Sequence, residues 1–171
     1  MEIFCRKSRE KNRSEDAYAL LSSAAKAIYG IDSPKVEKTP WGKPFFPACP
    51  DIFFSISHSG GYLLCALSDS PVGADIQIKK KNVSSVLPER VCRPEELRVF
   101  NFFDLWSLKE SYIKLIGKKE LDYRDMVFSL NGGRIVCSDR RVYCRLYSGV
   151  PDCSCAVLSF SDEFPSEIRF L

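Results

Sequence analysis

IFFSISHSGGYLLCALSDSPVGADIQI, residues 52–78, holds two apolar strands, a glycine turn and a fresh start after a proline. IFFSIS (52–57) and YLLCALS (62–68) are short and apolar, and HSGG separates them at 58–61, which predicts a β-hairpin. After Ser70-Pro71 the pattern begins again with a strand over 72–78. Working outward on the N-terminal side, MEIFCR reads as a short strand and SEDAYALLSSAAKAIYG (14–30) as a helix, with Ser14 as N-cap, acids in its first turn and Gly30 as the stop. Residues 31–51 carry five prolines and read as extended or looped chain. On the C-terminal side, a polar stretch (79–92) leads to helical text from Pro94 to about Ile116, ended by Gly117. Four β-rich segments follow near 126–130, 135–138, 141–148 and 154–160, with Asn131-Gly132 marking a tight turn. Each half thus presents a helix followed by antiparallel strands, which predicts an α+β fold of two packed lobes.

The 171 residues can bury about 70 % of their unfolded surface, and 45 % hydrophobic with 12 % aromatic content supplies the core. A net charge of +3 argues against a nucleic-acid wrap, although Arg6, Lys7, Arg9, Lys11 and Arg13 crowd the first strand-to-helix connection. The aromatics Phe45, Phe46, Phe53 and Phe54 alternate into an expected core rather than an exposed basic stripe. No apolar run approaches the roughly 20 residues of a membrane helix, and MEIFCRKSRE lacks a secretory core, so a soluble, cytoplasmic chain is expected. The eight cysteines are scattered through strands without paired CxxC spacing and read as buried reduced thiols. A single His and no clustered thiols argue against zinc.

Two carboxylates stand out. Asp75 closes an apolar run in PVGADIQI (71–78), where alternation puts Asp75 and Gln77 on one strand face. Glu110 lies on the helix in WSLKESYIK (106–114), four residues before Lys114 and one turn after Trp106. Mg2+ is commonly held by one or two carboxylates, several waters and substrate phosphates, and this pair meets that need. Taken alone, Glu110 and Lys114 also fit an ordinary surface ion pair. In ISHSG (56–60), hydroxyls, an imidazole and two following glycines suit a phosphate, but equally a hairpin turn with a capping His. WGKP (41–44) by itself is a proline-stiffened loop.

Together and in this order, WGKP, ISHSG, PVGADIQI and WSLKESYIK resemble the Sfp-type 4'-phosphopantetheinyl transferases, with Trp106, Lys109, Glu110 and Lys114 standing at that family's WxxKExxxK signature. The resemblance covers most of the chain. It implies two pseudo-twofold-related lobes, each a helix packed on an antiparallel sheet, over residues 1–71 and 72–171 with coenzyme A in the cleft. The chain is short for such enzymes, which implies a trimmed first lobe or connection. The implied reaction moves the 4'-phosphopantetheine arm of coenzyme A to a serine of an apo acyl-, peptidyl- or polyketide-type carrier protein, releasing adenosine 3',5'-bisphosphate. The resemblance assigns Asp75, Glu110 and Lys114 to catalysis and Asp75, Gln77 and Glu110 to Mg2+. It assigns Lys43, Pro44, Ser57, His58, Lys109 and Lys114 to coenzyme A.

Two departures accompany it. Many relatives read Asp-x-Glu where this chain has Asp75-Ile76-Gln77, so an amide replaces an acid and weaker metal binding without coenzyme A is expected. Relatives usually carry an arginine early in the first helix to grip the 3'-phosphate; Ala17-Tyr18 stand there, leaving Lys7, Lys11 and Arg13 as candidates. Acidic carrier proteins need a basic and apolar dock, and Lys79, Lys80, Lys81, Val83, Val86, Leu87, Arg90, Val91 and Arg93 offer one, although a solvated loop would read similarly. The expected protein is a monomer with no nucleic-acid or membrane partner. A non-catalytic coenzyme A- or carrier-binding adaptor is the alternative function.

Overall fold

A computed structural model describes residues 1–8, 13–80, 86–118 and 120–171, with the side chain of Arg13 outside that description. Lys11, the Arg13 side chain, Lys81 and Val83 therefore lie outside the described residues.

The expected hairpin forms from β4 (Phe53–Ser59) and β5 (Tyr62–Ser68), in register from Phe53↔Ser68 to Ser59↔Tyr62. His58 and Ser59 extend the strand, so the turn shrinks to Gly60-Gly61, both at positive φ (58° and 83°), which glycine alone adopts without strain. On the other side of β5 lies β1 (Glu2–Lys7), antiparallel to it. β11 (Arg169–Phe170) pairs with β1 in parallel and completes a first sheet of order β11-β1-β5-β4. Two residues near the end of the chain thus join the first sheet, a pairing that no pattern in the sequence marks.

The second sheet has the order β6-β10-β9-β8-β7, built from β6 (Val72–Ile78), β7 (Phe128–Asn131), β8 (Arg134–Cys137), β9 (Tyr143–Tyr147) and β10 (Cys153–Ser159). The β7–β8 turn is Gly132-Gly133, both at positive φ, one residue beyond the expected Asn131-Gly132. A two-stranded ribbon, β2 (Glu37–Lys38) with β3 (Pro44–Phe45), crosses the proline-rich stretch.

Each sheet carries one long helix. α1 (Arg13–Tyr29) covers the first sheet, where Ala17, Leu20, Leu21 and Ala24 meet Phe4, Phe54, Leu63, Cys65 and Leu67. Ser14 lies inside this helix rather than capping it, because helical backbone already includes Arg13. The opposite faces of the same strands, Ile3, Cys5, Leu64 and Ala66, share a core with Val72, Ala74, Ile76, Cys153, Cys155 and Val157 of the second sheet. Both β5 and β10 are buried on two faces, which explains why they read as continuous apolar runs. Six of the eight cysteines are buried in these layers, and burial pushes the Cys5 thiol up to about 12.

The helical text after Pro94 is not one helix. α2 (Val86–Val91) and α3 (Pro94–Leu97) are short, and α4 (Phe102–Ile116) restarts because the Asn101 side chain accepts the Asp104 N–H at 3.0 Å. Gly117, in the left-handed region at φ 74°, ends it and donates to the Ile113 carbonyl at 2.8 Å. α4 lies on the outer face of the second sheet, burying Leu105, Leu108 and Leu115 against Ala156, Leu158 and Phe128. Val91 packs into this core at 5 % exposure, which removes it from the expected docking surface.

The two sheets meet edge to edge along β4 and β6, and serine side chains join them. Ser55 Oγ accepts the Ala74 N–H at 2.9 Å and Ser59 Oγ accepts the Ile78 N–H at 3.0 Å. Between them, Ser57 Oγ donates to Asp75 Oδ1 at 2.6 Å. Period-2 spacing turns these three hydroxyls toward β6 and Phe54 toward α1.

Candidate active site

Asp75 is 2 % exposed, and a carboxylate so far from water needs partners. Besides Ser57, Lys114 Nζ donates to Asp75 Oδ1 at 2.7 Å and to the Ala74 carbonyl at 3.2 Å. Gln77 Nε2 donates to Asp75 Oδ2 at 3.0 Å. The contact with Lys114 requires α4 to sit very close to β6. Gly73 permits that approach: a Cβ there would lie 2.0 Å from the Ser111 carbonyl oxygen and 2.5 Å from the Leu115 nitrogen.

One turn before Lys114, Glu110 Oε1 accepts a hydrogen bond from the Tyr123 hydroxyl. The Tyr123 ring stacks on Trp106, with centroids 5.7 Å apart and planes inclined by 22°. Burial, the Glu110 hydrogen bond and the charges of Glu110 and Asp75 push the phenol well above its ordinary range, so it stays a donor. Asp75 and Glu110 thus influence one hydroxyl from β6 and α4 respectively.

Lys109 does not face a cleft. Its side chain is fully buried, and Nζ donates to Glu96 Oε2 at 2.9 Å, the Tyr123 carbonyl at 2.8 Å and the Met126 carbonyl at 2.7 Å. All three ammonium protons are engaged, so the expected phosphate contact is corrected to a structural one. Glu96 is equally satisfied, also accepting the Arg93 N–H at 2.8 Å and the Phe128 N–H at 2.9 Å. The pair ties α3 and the 123–128 segment to α4.

Two adjoining cavities open beside Asp75 and Lys114, and Glu110 lines neither of them. One, about 340 Å³, is lined by Ser14, Ala17, Tyr18, Ile56, Ser57, His58, Asp75, Gln77 and Lys114. The other, about 260 Å³, is lined by residues that include Trp41, Gly42, Lys43, Pro44, Ser55, Ile113 and Gly117, and it shares Tyr18, Ile56 and Lys114 with the first. Within the ribbon loop, Gly42 (φ 83°) donates to the Thr39 carbonyl at 2.8 Å, and Lys43 N–H donates to Thr39 Oγ1 at 3.1 Å. Lys43 Nζ donates to the Leu115 carbonyl at 2.7 Å, at the negative end of α4. Burial lowers the Lys43 pKa to about 8. Lys7 lines neither cavity; its Nζ stands 5.8 Å from the Tyr62 ring centroid.

Among the described residues, no group of three or more His, Cys, Asp or Glu side chains could hold a metal ion. The donors present are oxygens: the carboxylates of Asp75 and Glu110 and the amide oxygen that Gln77 keeps while its nitrogen bonds Asp75. Three of about four lone-pair positions on Asp75 are taken by protein donors. Oxygens of this kind suit a hard cation and are poor for a soft one, but only Asp75 and Gln77 share a cavity lining, and a cation at Asp75 competes there with the Lys114 ammonium.

Residues 71–148, which contain Asp75, Gln77, Glu110, Lys114 and Tyr123, match the family model of the 4'-phosphopantetheinyl transferase superfamily. Over that segment, from β6 to just past β9, the chain is similar to members of that superfamily. A 4'-phosphopantetheinyl transferase of Bacillus subtilis is 35 % identical over 130 residues, covering 66 % of this chain and 58 % of that protein. The chain therefore spans less than two thirds of that relative's length. 4'-Phosphopantetheinyl transferase Sfp of Bacillus subtilis (strain 168) is 29 % identical across 100 % of this chain and 88 % of its own length. The gsp transferase of Aneurinibacillus migulanus is 40 % identical over 91 residues, 47 % of this chain and 37 % of that protein. Tyr123 is the site residue that no motif in the sequence marks. It sits in a loop after Gly117, with no periodicity to announce it, and only its contact with Glu110 reveals it.

Proposed function

We propose that this chain is an Mg2+-dependent enzyme that transfers 4'-phosphopantetheine from coenzyme A to a serine of an apo-carrier protein and releases adenosine 3',5'-bisphosphate. The observation that carries this reading is the convergence of four separated segments, 41–44, 55–58, 75–77 and 113–118, on two cavities that share Lys114. The relatives, both 4'-phosphopantetheinyl transferases, support it.

In this reading the carrier serine oxygen bonds to the β-phosphorus of coenzyme A as the bond to the adenosine-bearing phosphate breaks. Glu110 accepts the serine proton, and no covalent bond to the enzyme is needed. Lys114, a cation bordering both cavities, faces the pyrophosphate and stabilises charge on the leaving group. Ser57 and His58 border the same cavity as Asp75 and are the remaining phosphate contacts, while Gly42, Lys43, Pro44 and Trp41 cradle the adenine nucleotide. Asp75, Glu110 and the Gln77 amide oxygen would hold Mg2+, which offsets pyrophosphate charge when bound. The carrier protein docks on Lys79, Lys80 and Arg90 with Val86 and Leu87, which are 51 % and 36 % exposed. The two lobes divide near residues 70–72, except that β11 returns to the first sheet, and the working unit is a cytoplasmic monomer.

The test is incubation with coenzyme A, Mg2+ and apo-carrier proteins, read by mass spectrometry for the phosphopantetheine increment. Increment on at least one acceptor, lost on chelation, supports the enzyme. Coenzyme A binding without transfer to any acceptor would favour the adaptor instead.

A further inference from the structure

We infer that Tyr123 is a positioning residue for the transfer reaction, its hydroxyl orienting the Glu110 carboxylate that receives the carrier serine's proton. The inference rests on the function proposed above and deepens it.

Glu110 is partly exposed on α4, and a free glutamate there would sample several rotamers. The Tyr123 hydroxyl removes that freedom by occupying Oε1, which leaves Oε2 as the oxygen free to act. Two independent supports hold the tyrosine. Its ring stacks on Trp106, one turn before Glu110 on the same helix. Its backbone carbonyl accepts the fully buried Lys109 ammonium at 2.8 Å, from the residue immediately preceding Glu110. Trp106, Lys109 and Glu110 therefore act on one tyrosine through stacking, a backbone hydrogen bond and a side-chain hydrogen bond. This gives the buried Lys109 a reason to adjoin Glu110: it locks the loop that returns Tyr123 to the helix. Neither Tyr123 nor Glu110 lines the two cavities, so the tyrosine is separated from a substrate-touching group by its role: its hydroxyl is spent on Glu110.

The test uses the 171-residue chain with coenzyme A, Mg2+ and an accepted apo-carrier protein. Tyr123→Phe keeps the ring and its stack and removes only the hydroxyl. It should lower kcat about 10- to 100-fold, the usual cost of losing a group that orients an active one, while the KM for coenzyme A moves less than about twofold. Trp106→Leu withdraws the other support and should give the same split, which keeps the idea testable if either variant folds poorly. Because Tyr123 acts through Glu110, adding Tyr123→Phe to Glu110→Gln should cause no further loss of kcat. Full kcat in Tyr123→Phe, a defect confined to KM, or multiplicative losses in the double variant would overturn the inference while leaving an active wild type's function intact. A wild-type chain that transfers nothing overturns both.

Discussion

Substituting Lys114 and Asp75 singly and together tests the centre of the site. Their atoms are 2.7 Å apart, which at an effective dielectric near 20 corresponds to about 6 kcal/mol of attraction before desolvation. Desolvation reduces it: the Asp75 side chain is 3 % exposed and that of Lys114 28 %. Breaking a buried pair from one side typically costs about 3–5 kcal/mol, and the solvent reaching Lys114 places this pair near about 3 kcal/mol. Lys114→Met should therefore lower unfolding free energy by about 3 kcal/mol in urea titrations, because Asp75 keeps only Ser57 and Gln77. Asp75→Asn in the same background should recover part of that loss, giving a coupling of about 2 kcal/mol. Each single variant should also lose about 10²–10³ in transfer rate, since Lys114 is the cation common to both cavities. Additive destabilisation within about 0.5 kcal/mol, joined to near-native turnover of Lys114→Met, would refute the pairing and the catalytic role at once.

Gly73→Ala puts a methyl against α4 backbone, so it should destabilise by about 3 kcal/mol and reduce transfer by displacing Lys114; denaturation and turnover of one sample check both. Lys109→Met strands the buried Glu96 carboxylate and should cost about 3–5 kcal/mol in denaturation, with partial recovery by Glu96→Gln. A stable Lys109→Met protein with a raised KM for coenzyme A would return Lys109 to the cleft. Lys43 titrates near 8 when folded and near 10.5 when unfolded, so the unfolded chain binds more protons between those values. The stability of the wild type relative to Lys43→Met should rise with pH across that window, and a flat difference in urea titrations would argue against burial as the cause.

The hairpin, the strand over 72–78 and the Gly117 stop were legible because period-2 alternation and glycine chemistry are local. The break between α3 and α4 was missed because Asn101 caps from within apolar text and resembles an interior residue until its contact with Asp104 is seen. Lys109 misled for a related reason. Sequence places it beside Glu110 but cannot show that one of two adjacent helical residues points into the second core while the other stays at the surface. β11 and Tyr123 depend on partners 165 and 13 residues away, in the Cys5↔Phe170 pairing and the Glu110 contact respectively. Neither carries a propensity that would single it out.

The seam between β4 and β6 explains why the site forms where two sheets meet. In an ordinary sheet the N–H groups of an edge strand pair with carbonyls; here Ala74 and Ile78 donate instead to serine hydroxyls from β4. A hydroxyl can accept and donate, so Ser57, in the same row, can turn its proton to Asp75 while Ser55 and Ser59 accept from the backbone on either side. The row that joins the sheets therefore also sets the buried carboxylate, and His58 projects from the same strand toward the cavity it borders. The motif SISHS does two jobs: its serines bind the seam, and Ile56 and His58 line the cavities that Ser55 and Ser57 also border. A polar-apolar pattern of this kind on an edge strand is a signal for a sheet-to-sheet junction, and its reading requires asking where the backbone donors of the facing strand find acceptors.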